Sequence, residues 1–182
     1  MDVENKCSRC QELEHKIHEL EKMLMTDVLT GLPNKQFLDV RFRALKANFQ
    51  RKGENFALAF LDIDHFKIIN DTHGHDTGDQ AILAFADMLK KSVRSTDVGA
   101  RLQGDEFAVL LSDVNSEEAR ILMERIRGKI ERISRFKIPV TTSVGVVGYA
   151  MHHRCLEDFL RDADRAMYRS KVSGRNAVTL LG

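Results

Sequence analysis

The chain is 182 residues long and 43% hydrophobic, which is enough to build one globular domain with a short extension. Its 28 Lys and Arg residues against 27 Asp and Glu residues leave a formal charge of +1, so no overall field would attract nucleic acid or an anionic membrane. No apolar run approaches the roughly 20 residues that cross a bilayer, and the polar start lacks the order of a signal peptide. We therefore expect a cytoplasmic protein with no membrane segment and no nucleic-acid partner.

Residues 1–25 are predicted to form a helix with a narrow apolar seam. The seam residues recur at alternating spacings of three and four: Cys10, Leu13, Ile17, Leu20 and Leu24. Two heptads are marginally stable alone, so the seam predicts either a short coiled-coil dimerisation stalk or a helix folded back on its own domain. Cys7 and Cys10 form a single C-x-x-C motif without a second pair at zinc spacing, which favours ordinary helix cysteines over a metal half-site.

The rest of the chain mixes helical and strand-like segments. After the loop TGLPN, a helix is predicted over 35–51, and the continuous apolar run FALAFLDID predicts a buried strand at 56–64. Next come a polar stretch with two glycines, an amphipathic helix, a hairpin at 98–111 and a helix capped by Ser116. The strand VTTSVGVVGYA, a helix ending near Gly174 and the edge strand NAVTLL come last. This order predicts an α+β fold, with a central, mostly antiparallel sheet that contains a β-hairpin and is covered by helices on one side.

Two pairs of carboxylates lie where predicted strands end. Asp62 and Asp64 close the first strand, and Asp105 and Glu106 stand at the turn of the hairpin. If the two strands are neighbours, the alternation of side chains lets one carboxylate from each point to the same side. Like charges so close repel unless a cation lies between them, and hard oxygen ligands select Mg²⁺ or Mn²⁺. The pattern is typical of the palm of nucleotidyl-transfer enzymes, whereas either pair alone would indicate solvated carboxylates at loop ends.

Four successive motifs cover the chain from about Asp27 to the C-terminus. They read DVLTGLPNKQF, FLDIDHFKIINDTHGHDTGDQAI, RLQGDEF and ADRAMYRSKVSGRNAV. In order and spacing they resemble the motifs of the GGDEF family of diguanylate cyclases, which implies that residues 26–182 form a GGDEF catalytic domain. The implied fold is similar to the nucleotidyl cyclase and polymerase palm. A template-dependent polymerase would need a basic track and extra length that this chain lacks.

The resemblance implies a metal site and a set of catalytic residues. Two Mg²⁺ ions, with Mn²⁺ as an alternative, would be bound by Asp62, the backbone carbonyl of Ile63, Asp105 and Glu106. Glu106 would also support the attacking hydroxyl. The implied catalytic residues are Glu106, Asp105 and Lys67.

The resemblance also implies how the nucleotide is bound. Asn70 and Asp79 would recognise guanine, because Asp79 accepts from two donors that adenine does not offer together. The β- and γ-phosphates would be held by Lys67, Lys171, Arg175 and the backbone N–H groups around Phe66 and Lys67.

The implied reaction is the condensation of two GTP molecules into cyclic di-GMP with release of two pyrophosphates. Each domain binds one GTP, so the enzyme would act as a homodimer, and the N-terminal helix would hold two domains at high effective concentration. An inhibitory product site is implied at Arg94 and Asp97, an R-x-x-D pair shortly before Gln103, with Arg125 as a secondary member. Arginine can bind the O6 and N7 edge of guanine, while aspartate accepts from N1 and N2.

The chain departs from the family signature at Gln103, which replaces the first glycine of GGDEF. A type II turn needs a positive φ at its third residue and not at its second, so Gly104 is predicted to be the stricter position. In a type I′ turn, a positive φ at Gln103 would cost about 1 kcal/mol. A glutamine side chain that intrudes on the nucleotide would favour a second function, a catalytically inactive receptor for GTP or cyclic di-GMP. Lys35 and Gln36 also replace the arginine that usually follows LPN.

Overall fold

The computed structural model describes residues 24–132 and 140–181, together with 9, 10, 12, 13 and 16. The described residues of the N-terminal segment are helical up to Met25. The elements that follow are, in chain order, helix α1 (Lys35–Lys52), strand β1 (Phe56–Ile63), helices α2 (Phe66–His73) and α3 (His75–Ser92), strands β2 (Val98–Gln103) and β3 (Glu106–Ser112), helix α4 (Ser116–Glu131), strand β4 (Thr142–Gly148), helix α5 (Leu156–Val172) and strand β5 (Val178–Leu180).

The strands form one mixed sheet in the order β2-β3-β1-β4-β5. β1 lies at its centre and runs antiparallel to both β3 and β4, while β2 and β3 form the predicted hairpin. β5 pairs in parallel with β4. The α+β class and the mostly antiparallel sheet are thus confirmed. The register places Asp62 opposite Glu106 of β3 and opposite Ser143 of β4, and this fixes the geometry of the candidate site.

Helices cover both faces of this sheet, so the expectation of helices on one side was wrong. All eight residues of β1 are buried. On one face, Ala57, Ala59, Leu61 and Ile63 pack with residues of α3 and α4. On the other face, Phe56, Leu58 and Phe60 pack with residues of α1 and α5. The run FALAFL shows no alternation of apolar and polar positions, and a strand with that pattern needs cover on both of its faces.

The N-terminal segment is tied to the domain where its helix ends. The backbone N–H of Asn34 donates to the carbonyl of Met25 (3.0 Å), and the Asn34 side-chain amide donates to the carbonyl of Leu24 (2.8 Å). The same side chain caps α1, because its Oδ1 accepts from the backbone N–H groups of Gln36 and Phe37. One asparagine therefore links the end of the N-terminal helix to the start of α1.

Part of the predicted apolar seam can be placed. Leu13 and Leu24 are 53% and 64% exposed, and Cys10 is also exposed. Three other residues discussed above lie outside the described residues: Cys7, Ile17 and Leu20. The choice between a stalk and a folded-back helix stays a prediction. Across the part of the chain that the structure describes, no helix combines the length and apolar character needed to cross a membrane.

Helix α4 is capped one residue earlier than expected. The side chain of Asn115, not that of Ser116, accepts from the backbone N–H groups of Glu117 and Glu118. The Glu118 carboxylate in turn accepts from the backbone N–H of Asn115 (2.8 Å). This reciprocal capping box satisfies backbone donors at the start of the helix, and it uses the asparagine that precedes the predicted serine.

Helix α5 packs against β4 at a distance that requires a glycine. A Cβ atom on Gly145 would lie 2.0 Å from the backbone oxygen of Ala163 and 2.2 Å from the backbone nitrogen of Met167. About one turn further along α5, the Ser170 hydroxyl donates to the carbonyl of Val144 (2.8 Å). These contacts hold the C-terminal turn of α5 against the sheet, where Lys171 is the next residue.

Gly145→Ala is expected to destabilise the domain strongly, because the added methyl group overlaps backbone atoms of α5. Overpacking a core costs about 1–3 kcal/mol, and overlap with backbone places this variant at or above the upper end of that range. Gly128→Ala is the control. Its Cβ meets no atom within 4 Å beyond the backbone of its own helix, and alanine is favoured over glycine inside a helix by about 0.5–1 kcal/mol.

Urea or thermal unfolding should move these two variants in opposite directions from the parent protein. A Gly145→Ala protein as stable as the parent would contradict the close packing of α5 on β4.

Candidate active site

The two carboxylate groups predicted from the sequence come together at one end of the central strands. Asp62, near the end of β1, faces Glu106 at the start of β3. Asp105 precedes Glu106 in the hairpin turn, and its backbone carbonyl accepts a hydrogen bond from the N–H of Ile63 (3.3 Å). Directly opposed residues of antiparallel strands point to the same face of the sheet. Asp62 and Glu106 therefore share the face that α1 and α5 cover.

Asp62 is the electrostatic centre of this group. Burial raises the pKa of its carboxyl to about 6, and the ammonium group of Lys171, 2.8 Å from Asp62 Oδ2, opposes that shift. The negative charges of Asp105 and Glu106 raise the pKa further. In this structure, Lys171 is thus the cation that neutralises a carboxylate surrounded by others of the same sign.

The donor set fits a hard divalent cation. Asp62, Asp105 and Glu106 supply carboxylate oxygens, the ligand type that Mg²⁺ and Mn²⁺ prefer. The register of β1 and β3 and the hydrogen bond from Ile63 to Asp105 place the three groups together, and the charges of Asp105 and Glu106 act to raise the pKa of Asp62. Ile63, whose carbonyl was predicted as a further ligand, lies between them, since its backbone follows Asp62 and bonds to Asp105.

Of the two aspartates that close the first strand, Asp64 does not belong to this group. It is buried, and its carboxylate accepts from the hydroxyls of Thr141 (2.8 Å) and Ser143 (2.6 Å). It also accepts from the backbone N–H of Asn176 (3.0 Å). Both carboxylate oxygens are used in these bonds. Asp64 is therefore a structural tie between the end of β1, the start of β4 and the loop after α5.

The loop after α5 holds Arg175 in a backbone conformation that favours glycine. Arg175 has φ 66° and Asn176 has φ 45°. The N–H of Arg175 donates to the carbonyl of Ser170 (3.0 Å), and the Asn176 side chain accepts from Arg127 (2.7 Å). Such residues cost about 1–3 kcal/mol each and persist where the surroundings enforce them. The structure thereby fixes the backbone from which the exposed Arg175 side chain extends.

Phe66 and Lys67 form the first turn of α2, directly after the carboxylates of β1. Lys67 is exposed and Phe66 is half-buried. No side chain caps this helix, whose N-cap residue His65 has φ 58°. The first N–H groups of a helix lack intrahelical partners, so the backbone around these two residues offers donors to an anion.

Asn70 and Asp79 lie at the junction between α2 and α3. Gly78 makes this junction close, because a Cβ on it would lie 1.8 Å from Asn70 Oδ1 and 3.3 Å from Phe66 Cζ. Asn70 Oδ1 is buried and has no hydrogen-bond partner within the described ranges. Asp79 follows Gly78 and is exposed. A buried amide oxygen without a partner thus lies at the same junction as an exposed carboxylate.

Gly104, and not Gln103, carries the positive φ of the hairpin turn. Gln103 pairs with Glu106, so Gly104 and Asp105 are the two turn residues. Gly104 has φ 49°, and neither Gln103 nor Asp105 has a positive φ. This is the type II′ pattern, with the glycine at the second position of the turn rather than the expected third. The Gln103 side chain is exposed and donates from Nε2 to Glu106 Oε2 (3.0 Å).

Arg101 anchors this turn to the N-terminal loop. Its guanidinium donates to the carbonyl of Gly104 from Nε (2.9 Å) and Nη2 (2.8 Å), and to both carboxylate oxygens of Asp27 from Nη1 (3.0 and 3.2 Å). Burial acts to raise the pKa of Asp27, but hydrogen bonds from Thr30 and Arg101 outweigh it and lower that pKa. Sequence reasoning assigned no role to Asp27 or Arg101. The sequence offered one signal for them, because Asp27 is the first residue of the motif DVLTGLPNKQF and Arg101 is the first residue of the motif RLQGDEF.

The residues of the implied product site lie between α3 and β2 and on α4. Arg94 and Arg125 are exposed, whereas Asp97 is buried. The Asp97 carboxylate accepts from the backbone N–H groups of Arg94 (3.2 Å) and Ser112 (3.2 Å). Asp97 therefore organises the turn before β2, and the two arginine side chains are accessible to a ligand.

A separate cluster of His152, His153 and Asp162 lies around the start of α5. Both histidines place Nε2 at 3.2 Å from Asp162 Oδ2, a spacing compatible with a metal ion. However, His153 Nδ1 accepts from the backbone N–H of Ala150 (3.0 Å), so the neutral ring carries its proton on Nε2. Burial, together with His152, lowers the pKa of His153 and keeps it neutral. Its Nε2 has no lone pair to offer, and the cluster ties the loop to the helix.

This chain has the palm fold of nucleotidyl cyclases. That fold is defined by an antiparallel core with carboxylates at the ends of its two central strands and with helices on both faces. The family model described as "Diguanylate cyclase, GGDEF domain" matches residues 24–177. The chain belongs to this GGDEF family.

Curated relatives match along most of this chain. The cyclic di-GMP phosphodiesterase NbdA of Pseudomonas aeruginosa is 37% identical over 91% of this chain and 22% of its own length. The probable diguanylate cyclase DgcT of Escherichia coli is 38% identical over 85% of this chain and 35% of its own length. The chain therefore spans about a fifth to a third of these relatives.

Among solved structures, this chain is similar to the coiled coil and GGDEF domain of DgcB from Caulobacter crescentus in complex with c-di-GMP, with a TM-score of 0.85. It is 31% identical and covers 96% of this chain and 94% of that one. The GGDEF domain alone of the same protein covers 86% of this chain and 95% of its own, with a TM-score of 0.78 and 33% identity.

In protein freed of divalent cations, Asp62→Asn is expected to raise thermal stability at neutral pH. The pKa of Asp62 is raised from 3.8 to about 6, so its protonated form favours the folded state. That contribution is fully present below pH 3.8 and is lost as the pH rises through about 6. The stability gap between Asp62→Asn and the parent should therefore widen from about pH 5 to about pH 7 in thermal unfolding with a chelator.

Asp164→Asn is the matched control, because it removes one negative charge from an exposed position on α5. Its stability gap to the parent should stay nearly constant over the same range. Parallel curves for the parent and Asp62→Asn would contradict the raised pKa of Asp62.

Proposed function

We propose that this chain is a Mg²⁺-dependent diguanylate cyclase that condenses two GTP molecules into cyclic di-GMP and releases two pyrophosphates. The observation that carries the proposal is the convergence of Asp62, Asp105 and Glu106, with Lys171 paired to Asp62. Membership of the GGDEF family supports it, as does the name of DgcT. The acidic, amide and basic residues that the resemblance implies are all present in the chain.

Two Mg²⁺ ions, or two Mn²⁺ ions in their place, would be held by Asp62, the carbonyl of Ile63, Asp105 and Glu106. Bound there, the metal would neutralise charge on the phosphates and on the attacking 3′-hydroxyl. Glu106 would orient that hydroxyl. Lys171 pairs with Asp62 in the ligand-free chain, and its ammonium group has three N–H donors, so it would also contact a phosphate in the complex.

The nucleotide would lie along α2 and the loop after α5. Asn70 and Asp79 would recognise the guanine edge, and the Asp79 carboxylate would accept from N1 and the exocyclic amine together. Lys67, Arg175 and the uncapped N–H groups of α2 would bind the β- and γ-phosphates. The enforced backbone at Arg175 supports a binding role, because strained residues are held where a side chain must be placed.

The reaction requires two chains, because each domain would supply one GTP and one set of carboxylates. The N-terminal helix would act as a coiled-coil stalk that keeps two domains close. The exposure of Leu13 and Leu24 supports this role. So does the match to DgcB, whose coiled coil and GGDEF domain together cover more of this chain than its GGDEF domain alone.

Incubation of the purified protein with GTP and Mg²⁺ should yield cyclic di-GMP and pyrophosphate, measured by chromatography. The rate per chain should rise with protein concentration until the dimer is saturated. Asp105→Ala should lower the rate on the order of a hundredfold or more, because it removes a ligand of the Mg²⁺ ions that would neutralise charge in the transition state.

Asp164→Ala, at an exposed position of α5, should leave the rate unchanged. A mixture of GTP and ATP tests the base preference, since Asp79 favours guanine in both halves of the product. Absence of any cyclic dinucleotide at high protein concentration would overturn the cyclase proposal.

The alternative function is a catalytically inactive receptor that binds GTP or cyclic di-GMP. The feature that favours it is Gln103, which places a side chain beside Glu106 where the family signature has a glycine. A receptor would bind GTP in equilibrium dialysis without turnover, which separates the two functions in the same preparation.

We further propose that cyclic di-GMP inhibits the enzyme by binding at Arg94, with Arg125 as a second contact. Both side chains are exposed and suited to the guanine edge or a phosphate. Asp97 would accept from guanine as well, although in the ligand-free chain its carboxylate is bound to backbone N–H groups.

Arg94→Ala should weaken product binding about tenfold or more, the effect expected when one bidentate contact to guanine is lost. Calorimetric titration with cyclic di-GMP measures this directly, and initial rates at low product should not change. Arg120→Ala is the control, since Arg120 lies on the same helix as Arg125 but pairs with Glu117. Unchanged product affinity in Arg94→Ala would rule out this site.

A further inference from the structure

Three cross-strand neighbours form a row on one face of the sheet. Gln103 of β2 lies opposite Glu106 of β3, and Glu106 lies opposite Asp62 of β1. Gln103 Nε2 donates to Glu106 Oε2 over 3.0 Å, and at the other end Lys171 lies 2.8 Å from Asp62 Oδ2. Each of the two facing carboxylates is thus held from the outside by a hydrogen-bond donor.

We infer that Gln103 is a positioning residue for Glu106. Its amide fixes the carboxylate so that Oε2 is tied to β2 and Oε1 is left for a divalent cation or for the attacking hydroxyl. This inference rests on the proposed function of Glu106. A glycine at this position has no side chain, so the contact exists because the chain departs from the family signature.

The chemistry of the two groups supports this role. An ionised carboxylate only accepts hydrogen bonds, so the amide nitrogen of Gln103 is the atom that faces it. The amide is neutral and leaves the negative charge of Glu106 in place. A carboxylate has about four lone-pair sites, so one hydrogen bond at Oε2 still leaves Oε1 available to a ligand.

The geometry does not favour Gln103 as an obstruction. Its backbone φ is not positive, and its side chain lies along the sheet toward Glu106. Partners that hydrogen-bond a metal-ligating carboxylate typically contribute about 10–100-fold to metal affinity. Because Gln103 is exposed, the expected contribution is at the lower end, about tenfold.

The test compares Gln103→Met, which keeps the length of the side chain without a donor, with Gln103→Gly, which restores the family residue. Mn²⁺ affinity is measured by electron paramagnetic resonance in the presence of a GTP analogue that cannot react. Both variants should bind Mn²⁺ about tenfold more weakly than the parent protein. Without metal, Gln103→Met should unfold at the temperature of the parent, because the side chain is exposed. Gln103→Gly should unfold at a modestly lower temperature, because a glycine in a strand costs about 0.5–1 kcal/mol. Gln50→Met, at an exposed position of α1, is the control and should bind Mn²⁺ as the parent does.

Unchanged Mn²⁺ affinity in Gln103→Met would overturn the inference. Tighter binding in Gln103→Gly would also overturn it, because the glutamine would then obstruct the site. Asp62→Asn separates this result from a failure of the proposed function. If that variant binds Mn²⁺ as the parent does, the metal site itself is wrong, whereas loss of binding there with parental affinity in Gln103→Met rejects the role of Gln103 alone.

Discussion

The ion pair between Asp62 and Lys171 meets a constraint that shapes the candidate site, because Asp62 is buried beside two other carboxylates. A buried carboxylate beside two others needs a nearby cation, and here the last turn of α5 delivers it. The helix can lie so close to the sheet because β4 carries Gly145 at the crossing. The loop beyond α5 is then held by Asp64, two residues after Asp62. The candidate site is therefore assembled by tertiary packing between the first strand and the last helix.

A second set of contacts joins the hairpin turn to the N-terminal helix. Asn34 bonds the carbonyl of Leu24, and Asp27 binds the guanidinium that also holds the carbonyl of Gly104. The backbone N–H of Arg101 donates to the carbonyl of Pro33 (2.9 Å), which places the loop and β2 side by side. A connected path of hydrogen bonds thus runs from the end of the N-terminal helix to the turn that carries Asp105.

The sheet and its carboxylates could be predicted because their signals are local: an apolar run for β1, and a glycine followed by two acids at the hairpin. The side on which helices pack could not be deduced from the order of elements, although the uninterrupted apolar run of β1 already required two covered faces. Asp62 and Asp64 share one face by the period of a strand, so their different roles depend on the hydroxyls that β4 and the residue before it bring to Asp64. The bond between Arg101 and Asp27 joins residues 74 positions apart, and such a pair leaves no periodic pattern in a sequence.

The two leading positions of the signature differ in what the backbone demands of them. Gly104 has a left-handed φ, while Gln103 has ordinary strand geometry and an exposed side chain. The backbone therefore accepts a side chain at the first position, whereas the second is restricted by stereochemistry. When relatives are sorted into working and degenerate members, the backbone alone gives no reason to class a chain as degenerate for a substitution at the first position. A non-glycine residue at the second would change the shape of the turn itself.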